Sequence, residues 1–147
     1  MKILGIETSC DDTAAAVIEN GSKVLSNLVA SQTDMHERYG GIIPEIASRE
    51  HLNSIIPIIN KAIDDAGISH KDLDAIAVTN GPGLSGSLLI GVNVAKSLGF
   101  AWNKKVFGVN HLEGHIYSAW LENLFKDSKI DFPLACLIAS GGHTDLI

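Results

Sequence analysis

The chain has 147 residues, 46% of them hydrophobic, and a formal net charge of −6. A chain of this length buries roughly 68–70% of its unfolded surface, and with that hydrophobic content it is not an intrinsically disordered polypeptide. The acidic balance excludes a self-sufficient nucleic-acid binder, because phosphate neutralisation needs clustered Lys and Arg and Lys104-Lys105 is the only adjacent basic pair. No run approaches the roughly 18 uncharged apolar residues of a membrane span. The first apolar run reaches Glu7 too soon to be a signal h-region. A cytoplasmic protein with no membrane partner is expected. Cys10 and Cys136 flank predicted strands and form no metal-binding framework; both are expected to be reduced and packed.

In chain order, Lys2–Thr8 reads as a buried strand, Thr13–Glu19 as a second and Lys23–Ser31 as a third, with Asn20-Gly21 as a hairpin turn between the last two. Gln32 to Gly41 is polar and predicts a flexible loop. Ile43 to Asp65 has helical periodicity. Pro44 suits its first turn, Pro57 is expected to kink or split it, and Gly67 falls where a C-terminal cap belongs. Asp74–Thr79 is a short strand, followed by Asn80-Gly-Pro-Gly-Leu-Ser-Gly86 and a helix to about Phe100. Val106–Val109 predicts another strand. His111–Phe125 predicts a helix with an apolar stripe of Leu112, Ile116, Ala119 and Trp120. Leu134–Ala139 is a further strand, and Thr144–Ile147 begins the next. Three strands on tight turns, then strand–helix alternation, give an α/β fold whose mixed sheet has three antiparallel strands plus parallel crossovers and is flanked by helices. The final strand lacks a partner, which predicts one lobe, residues 1–147, of a larger two-lobe protein.

Three groups of residues carry chemistry. His111 and His115 are four apart, so on a helix both imidazoles lie on one face, where one metal ion can bridge them. The same spacing also describes two surface histidines at a helix start. Leu112 stands where the zincin motif has its catalytic Glu, which disfavours a metallo-endopeptidase. Two ligands are one short of a catalytic site, and no further histidine stands out as the third. Glu113 is a candidate to orient one of the histidines from behind. The glycine-rich segments Asn80–Gly86 and Ser140-Gly-Gly-His-Thr144 either present backbone N–H groups to an anion or are tight connections. Glu7-Thr-Ser-Cys-Asp-Asp-Thr13 either offers Thr8, Ser9 and backbone N–H groups to a phosphate and Asp11 or Asp12 to a hydrated magnesium ion, or is an Asx-rich hairpin turn.

Two strand–turn–strand loops rich in Ser, Thr, Gly and Asp resemble the phosphate loops of the actin, sugar-kinase and heat-shock-chaperone superfamily, whose lobes have a ribonuclease-H-like topology. More specifically, the chain resembles the universal tRNA threonylcarbamoyladenosine family, through Gly5-Ile-Glu-Thr-Ser-Cys-Asp11, Gly41-Ile-Ile-Pro-Glu-Ile-Ala-Ser-Arg-Glu-His51, Asn80-Gly-Pro-Gly-Leu84, Asn110-His-Leu-Glu-Gly-His115 and Ser140-Gly-Gly-His-Thr144. Asp12 and Leu112 are minor departures, where the family more often has Glu and Met. The resemblance implies transfer of a threonylcarbamoyl group from threonylcarbamoyl-AMP to N6 of adenosine 37 in tRNAs reading ANN codons. By matched position it implies that His111 and His115 hold iron or zinc, and that Ile138, Ala139, Ser140, Gly141 and Gly142 line the acyl-adenylate site. It implies magnesium with a nucleotide near Thr8, Ser9 and Asp11, and TsaB-like and TsaE-like partner proteins. Family members are about twice this long, with the third metal ligand in the second lobe, so the isolated lobe is expected to be inactive. The alternative is a non-catalytic, TsaB-like module, for which the lobe would form a homodimer; the histidine pair speaks against it.

Overall fold

The structure is a computed structural model that describes residues 1–121, 133–139 and 144–147. Strands β1 (Lys2–Glu7), β2 (Thr13–Glu19), β3 (Lys23–Ala30), β4 (Ala75–Gly81) and β5 (Lys105–Asn110) form one sheet in the order β3-β2-β1-β4-β5. The β1–β2 and β2–β3 pairs are antiparallel, and β4 pairs parallel with both β1 and β5. The expected mixed sheet is therefore present. Asn20 and Gly21 have φ of +55° and +82°, the left-handed pair that a type I′ turn requires, so the Asn-Gly signal forms the hairpin it predicts. A shorter pair, β6 (Leu137–Ala139) and β7 (Thr144–Leu146), is antiparallel and separate from the main sheet.

Helix α2 (Pro44–Asp65) links β3 to β4, and α3 (Ser85–Trp102) links β4 to β5. Ala47, His51, Ile55, Ile58, Ile59, Ala62 and Ile63 recur at helical spacing and are the buried stripe of α2. They meet Leu4, Ile6, Ala15, Val17, Ile76 and Val78, the helix-facing side chains of the sheet. Each such isoleucine or leucine contributes about 1.5–3 kcal/mol by leaving water. The buried stripe of α3 is small instead, with Ser87, Gly91, Ala95 and Gly99 one turn apart, which lets the helix lie close to the strands. Two side chains illustrate the closeness: a Cβ on Gly91 would overlap Thr8 Oγ1, and one on Gly83 would overlap the Ser9 carbonyl.

Several expectations need correction. Pro57 neither splits nor ends α2, because it lies on the solvent face, where water can serve the carbonyl that loses its intrahelical donor. The polar stretch after β3 contains a helix, α1 (Thr33–Glu37), rather than a plain loop. His36 is buried there, donating to Gln32 Oε1 (3.1 Å) and accepting from the Ile43 N–H (3.3 Å), so a polar segment reaches the interior with its groups paired. Helix α2 ends at Ala66 with Gly67 at φ +65°, as the glycine predicts. Cys10 is exposed rather than packed, and Cys136 is intermediate. Helix α4 covers His111–Ser118 with Ala119 as its C-cap, so it stops short of the expected end at Phe125; Ala119 and Trp120 form a turn, and residues 122–125 lie outside the described residues. Leu134 to Cys136 is not strand by itself, although Cys136 and Ile147 exchange backbone hydrogen bonds at 2.8 and 2.9 Å. Among the described residues, no helix is long and apolar enough to cross a membrane.

A candidate metal centre at the end of the sheet

The C-terminal ends of β1, β4 and β5 lie side by side, and each delivers a polar residue to one place. Strand β1 ends at Glu7, β4 contributes Thr79, and β5 runs directly into His111 at the start of α4. Asn110 caps that helix, its Oδ1 accepting from the N–H of Leu112 (2.8 Å) and of Glu113 (3.4 Å). This cap aligns the first turn, so that His111 and His115 project together.

The two imidazoles meet edge to face, with centroids 4.5 Å apart and an interplanar angle of 84°. Their Nε2 atoms are 3.1 Å apart. The other nitrogen of His111 faces inward: Nδ1 lies 3.2 Å from Glu7 Oε2 and 3.1 Å from Ser9 Oγ. An ionised carboxylate can only accept, so Nδ1 carries the hydrogen and Nε2 presents a lone pair to His115. The carboxylate is itself held by the Thr79 hydroxyl and by the backbone N–H of Ser9. Burial works to raise the pKa of Glu7, but hydrogen bonds from Ser9, Thr79 and His111 outweigh it and hold the carboxyl below its ordinary value. Glu7 is thus a fixed anion behind one face of a half-buried histidine.

Zinc binds imidazole nitrogen at about 2.0–2.1 Å, so two nitrogens 3.1 Å apart can both reach one ion. The carboxylate–histidine tie is the arrangement that fixes the tautomer of a metal-bound imidazole. The donor set therefore fits a metal such as zinc or iron. Among the described residues no group of three His, Cys, Asp or Glu is gathered for an ion, so the described part of the site offers the two imidazoles.

The remaining expected site residues divide. Ser9 belongs to the cluster through its contact with His111. Thr8 does not present its hydroxyl to a ligand: it is fully buried and donates to the Ser87 carbonyl at 2.9 Å, because α3 packs directly on it at Gly91. Asp11 is half-buried on the same loop. The Asn80–Gly86 segment packs against that loop, with the Leu84 N–H donating to the Ser9 carbonyl at 2.7 Å, so Gly83 serves close approach of two backbones, while Gly86 makes room for the Ser48 side chain. Glu113 is exposed and lines a cavity of about 240 Å³ with Tyr117, Trp120 and Cys136; the carboxylate behind His111 is Glu7, from the other end of the sequence. Ile138 is buried and Ala139 exposed on β6, while Ser140, Gly141 and Gly142 lie outside the described residues.

Glu7 and Thr79 are the residues sequence reasoning passed over as site members. The signal for Glu7 is a carboxylate at the end of an apolar strand, where burial demands partners. Beside them, Gly5, Ala14, Ala16 and Ala77 leave a hollow of about 320 Å³ on the sheet face opposite α2 and α3.

The fold resembles YeaZ from Pseudomonas aeruginosa, with a TM-score of 0.60 and 22% identity over 99% of this chain and 63% of that one. Curated relatives named tRNA N6-adenosine threonylcarbamoyltransferase are 59% identical in Thermomicrobium roseum and 54% identical in Bacillus subtilis, each across 100% of this chain and 41% of the relative. The chain thus spans about two fifths of the length of the curated relatives it matches. The family model described as TsaD, tRNA N6-adenosine threonylcarbamoyltransferase, matches residues 23–147, and the chain belongs to that family.

Proposed function

We propose that this lobe supplies two histidine ligands and one wall of a threonylcarbamoyl-transfer site, and that the full chain transfers threonylcarbamoyl from threonylcarbamoyl-AMP to N6 of adenosine 37 in tRNAs reading ANN codons. The observation that carries the site is the facing pair of Nε2 atoms, 3.1 Å apart, with Glu7 behind His111. The naming of relatives at 54–59% identity supports the reaction.

In that reaction the adenosine N6 forms a bond to the carbamoyl carbon. The bond from that carbon to the adenylate phosphate oxygen breaks, AMP leaves with the electron pair, and N6 loses a proton. Iron or zinc held by His111 and His115 would supply polarisation of the carbonyl under attack. The chain's own residues prepare for this. Glu7 keeps the His111 proton on Nδ1, Thr79 and Ser9 keep Glu7 ionised, and Asn110 sets the helix turn that brings His115 over His111. Ser140 to Gly142 would complete the acyl-adenylate wall in this reading, next to Ile138 and Ala139, and Asp11 would hold a magnesium ion with its nucleotide. A lobe of net charge −6 leaves most tRNA contacts to other surfaces, in the remainder of the chain or in TsaB-like and TsaE-like partners.

Transfer of labelled threonylcarbamoyl to tRNA by the full chain with its partners tests the reading. The expected result is transfer that His111→Ala and His115→Ala each abolish, and none by residues 1–147 alone. Undiminished transfer by either variant, or efficient transfer by residues 1–147 alone, would overturn it.

A further inference from the structure

The loop between β1 and β2 is held from two sides, and the metal reading uses only one of them. On the far side stands His51, in the third turn of α2. It is fully buried, and both ring nitrogens are engaged: Nδ1 lies 2.7 Å from Thr13 Oγ1 and Nε2 lies 3.0 Å from the Cys10 carbonyl oxygen. A carbonyl oxygen only accepts, so Nε2 carries a hydrogen, and in the neutral ring Nδ1 accepts from the Thr13 hydroxyl. Thr13 is itself fully buried. One imidazole thus grips the loop at Cys10 and at Thr13. Cys10 is peptide-bonded to Ser9, whose hydroxyl and N–H touch His111 and Glu7.

We infer that His51 is a positioning residue for the metal centre: by fixing the Cys10 peptide and Thr13, it sets where Ser9 meets His111 and Glu7, and so which nitrogen of His111 faces His115. The inference rests on the proposal that His111 and His115 are metal ligands. Its physical content is rigidity. The Ser9 carbonyl is held by the N–H of Leu84, the residue that precedes α3, and the next carbonyl by His51 of α2, so consecutive peptide units are tied to two different elements. Loosening one tie frees the loop to rotate Ser9 away, while the fold keeps its core. His51 lies within a stretch, Gly41–His51, that the site geometry otherwise leaves without a role.

The test compares Thr13→Val with Ser26→Ala in the full chain. Thr13→Val keeps side-chain volume but removes the hydroxyl from His51. Ser26→Ala removes another buried strand hydroxyl that bonds to the same helix, the one donating from β3 to the Ala62 carbonyl of α2 at 2.7 Å, far from the loop. Each is measured for stability in urea, for zinc affinity by competition with a chromophoric chelator, and for the His51 and His111 ring tautomers by nitrogen NMR without metal. The expected result is that both variants lose stability, but only Thr13→Val weakens zinc binding, by about 10-fold, the lower end of what lost support of a ligand costs. It should also mix the His111 tautomers, and Thr13→Ser should restore both properties. Equal zinc affinity in the two variants, with His111 unchanged, overturns the inference. If wild-type protein binds no zinc, the metal reading fails, and the tautomer of His111 in Thr13→Val still decides whether His51 positions it. If Thr13→Val does not fold, a wild-type His51 ring lacking a proton on Nε2 overturns it, and an Nε2-protonated ring together with Nδ1-protonated His111 supports it.

Discussion

Two histidines flank one loop and are built for opposite ends. His51 is fully buried, and each of its nitrogens meets a fixed partner of this fold, Thr13 and Cys10. His111 keeps 18% of its side chain exposed, spends Nδ1 on Glu7 and Ser9, and turns Nε2 toward a second imidazole. A ring with both nitrogens committed inside the protein is a brace. A ring oriented by a carboxylate on one side, with the other lone pair aimed at a second histidine, has the geometry of the ligand proposed above. The residue type is the same; the difference lies in what faces the second nitrogen.

This contrast yields predictions that can break it. The largest effect is expected at His111 and His115. Alanine at either should lower zinc affinity more than about 100-fold, beyond the loss typical of supporting partners, while changing stability by no more than about 1 kcal/mol. Chelator competition and urea unfolding measure the two, and a large stability loss with affinity intact would reverse the assignment. The opposite balance is expected at His51→Ala. It leaves a cavity and an unsatisfied buried hydroxyl, so it should cost about 3 kcal/mol by urea unfolding. A cost below about 1 kcal/mol would show that the brace is dispensable.

Glu7→Gln sharpens the comparison from behind the ligand. An amide replaces the ionised acceptor, so zinc affinity should fall about 10-fold, measured by the same competition. An unchanged affinity would leave the orientation of His111 to Ser9 alone. The smallest effect lies far from the loop, at Asp72, which accepts from the Ser69 N–H and hydroxyl, both at 2.8 Å. The backbone bond, and after it the hydroxyl, hold this carboxyl below its ordinary value of 3.8. A depressed folded-state pKa stabilises above the unfolded value and loses that contribution as pH falls through the folded one. Asp72→Asn should therefore flatten the loss of stability with acid below about pH 3.8, leaving zinc binding untouched. An acid profile identical to wild type would show that this cap contributes nothing.

Much of the fold was legible because its signals are local. Asn20-Gly21, Pro44 and Gly67 mark their turn and helix ends through backbone geometry alone. The isoleucine stripe of α2 repeats every helical turn, so its buried face is written along the chain. Signals that depend on surroundings were misread. Pro57 does not split its helix because it lies on the solvent face, where water can take the freed carbonyl, and Gln32 with His36 read as loop because their burial depends on partners such as Ala47 and Ile43.

At the site, the sequence by itself determined the histidine pair, since four residues make about one helical turn, and the family, since five motifs stand in order along the chain. Tertiary structure alone decided what stands behind the pair. Glu7 and His111 are 104 residues apart, and Thr13 and His51 are 38 apart. No periodicity spans such distances. They meet because parallel pairing of β1, β4 and β5 brings strand ends together, and because α2 crosses the sheet beneath the first loop. Glu113, nearer in sequence to both histidines, is excluded by the same helix geometry that unites them: two residues along a helix is nearly half a turn away.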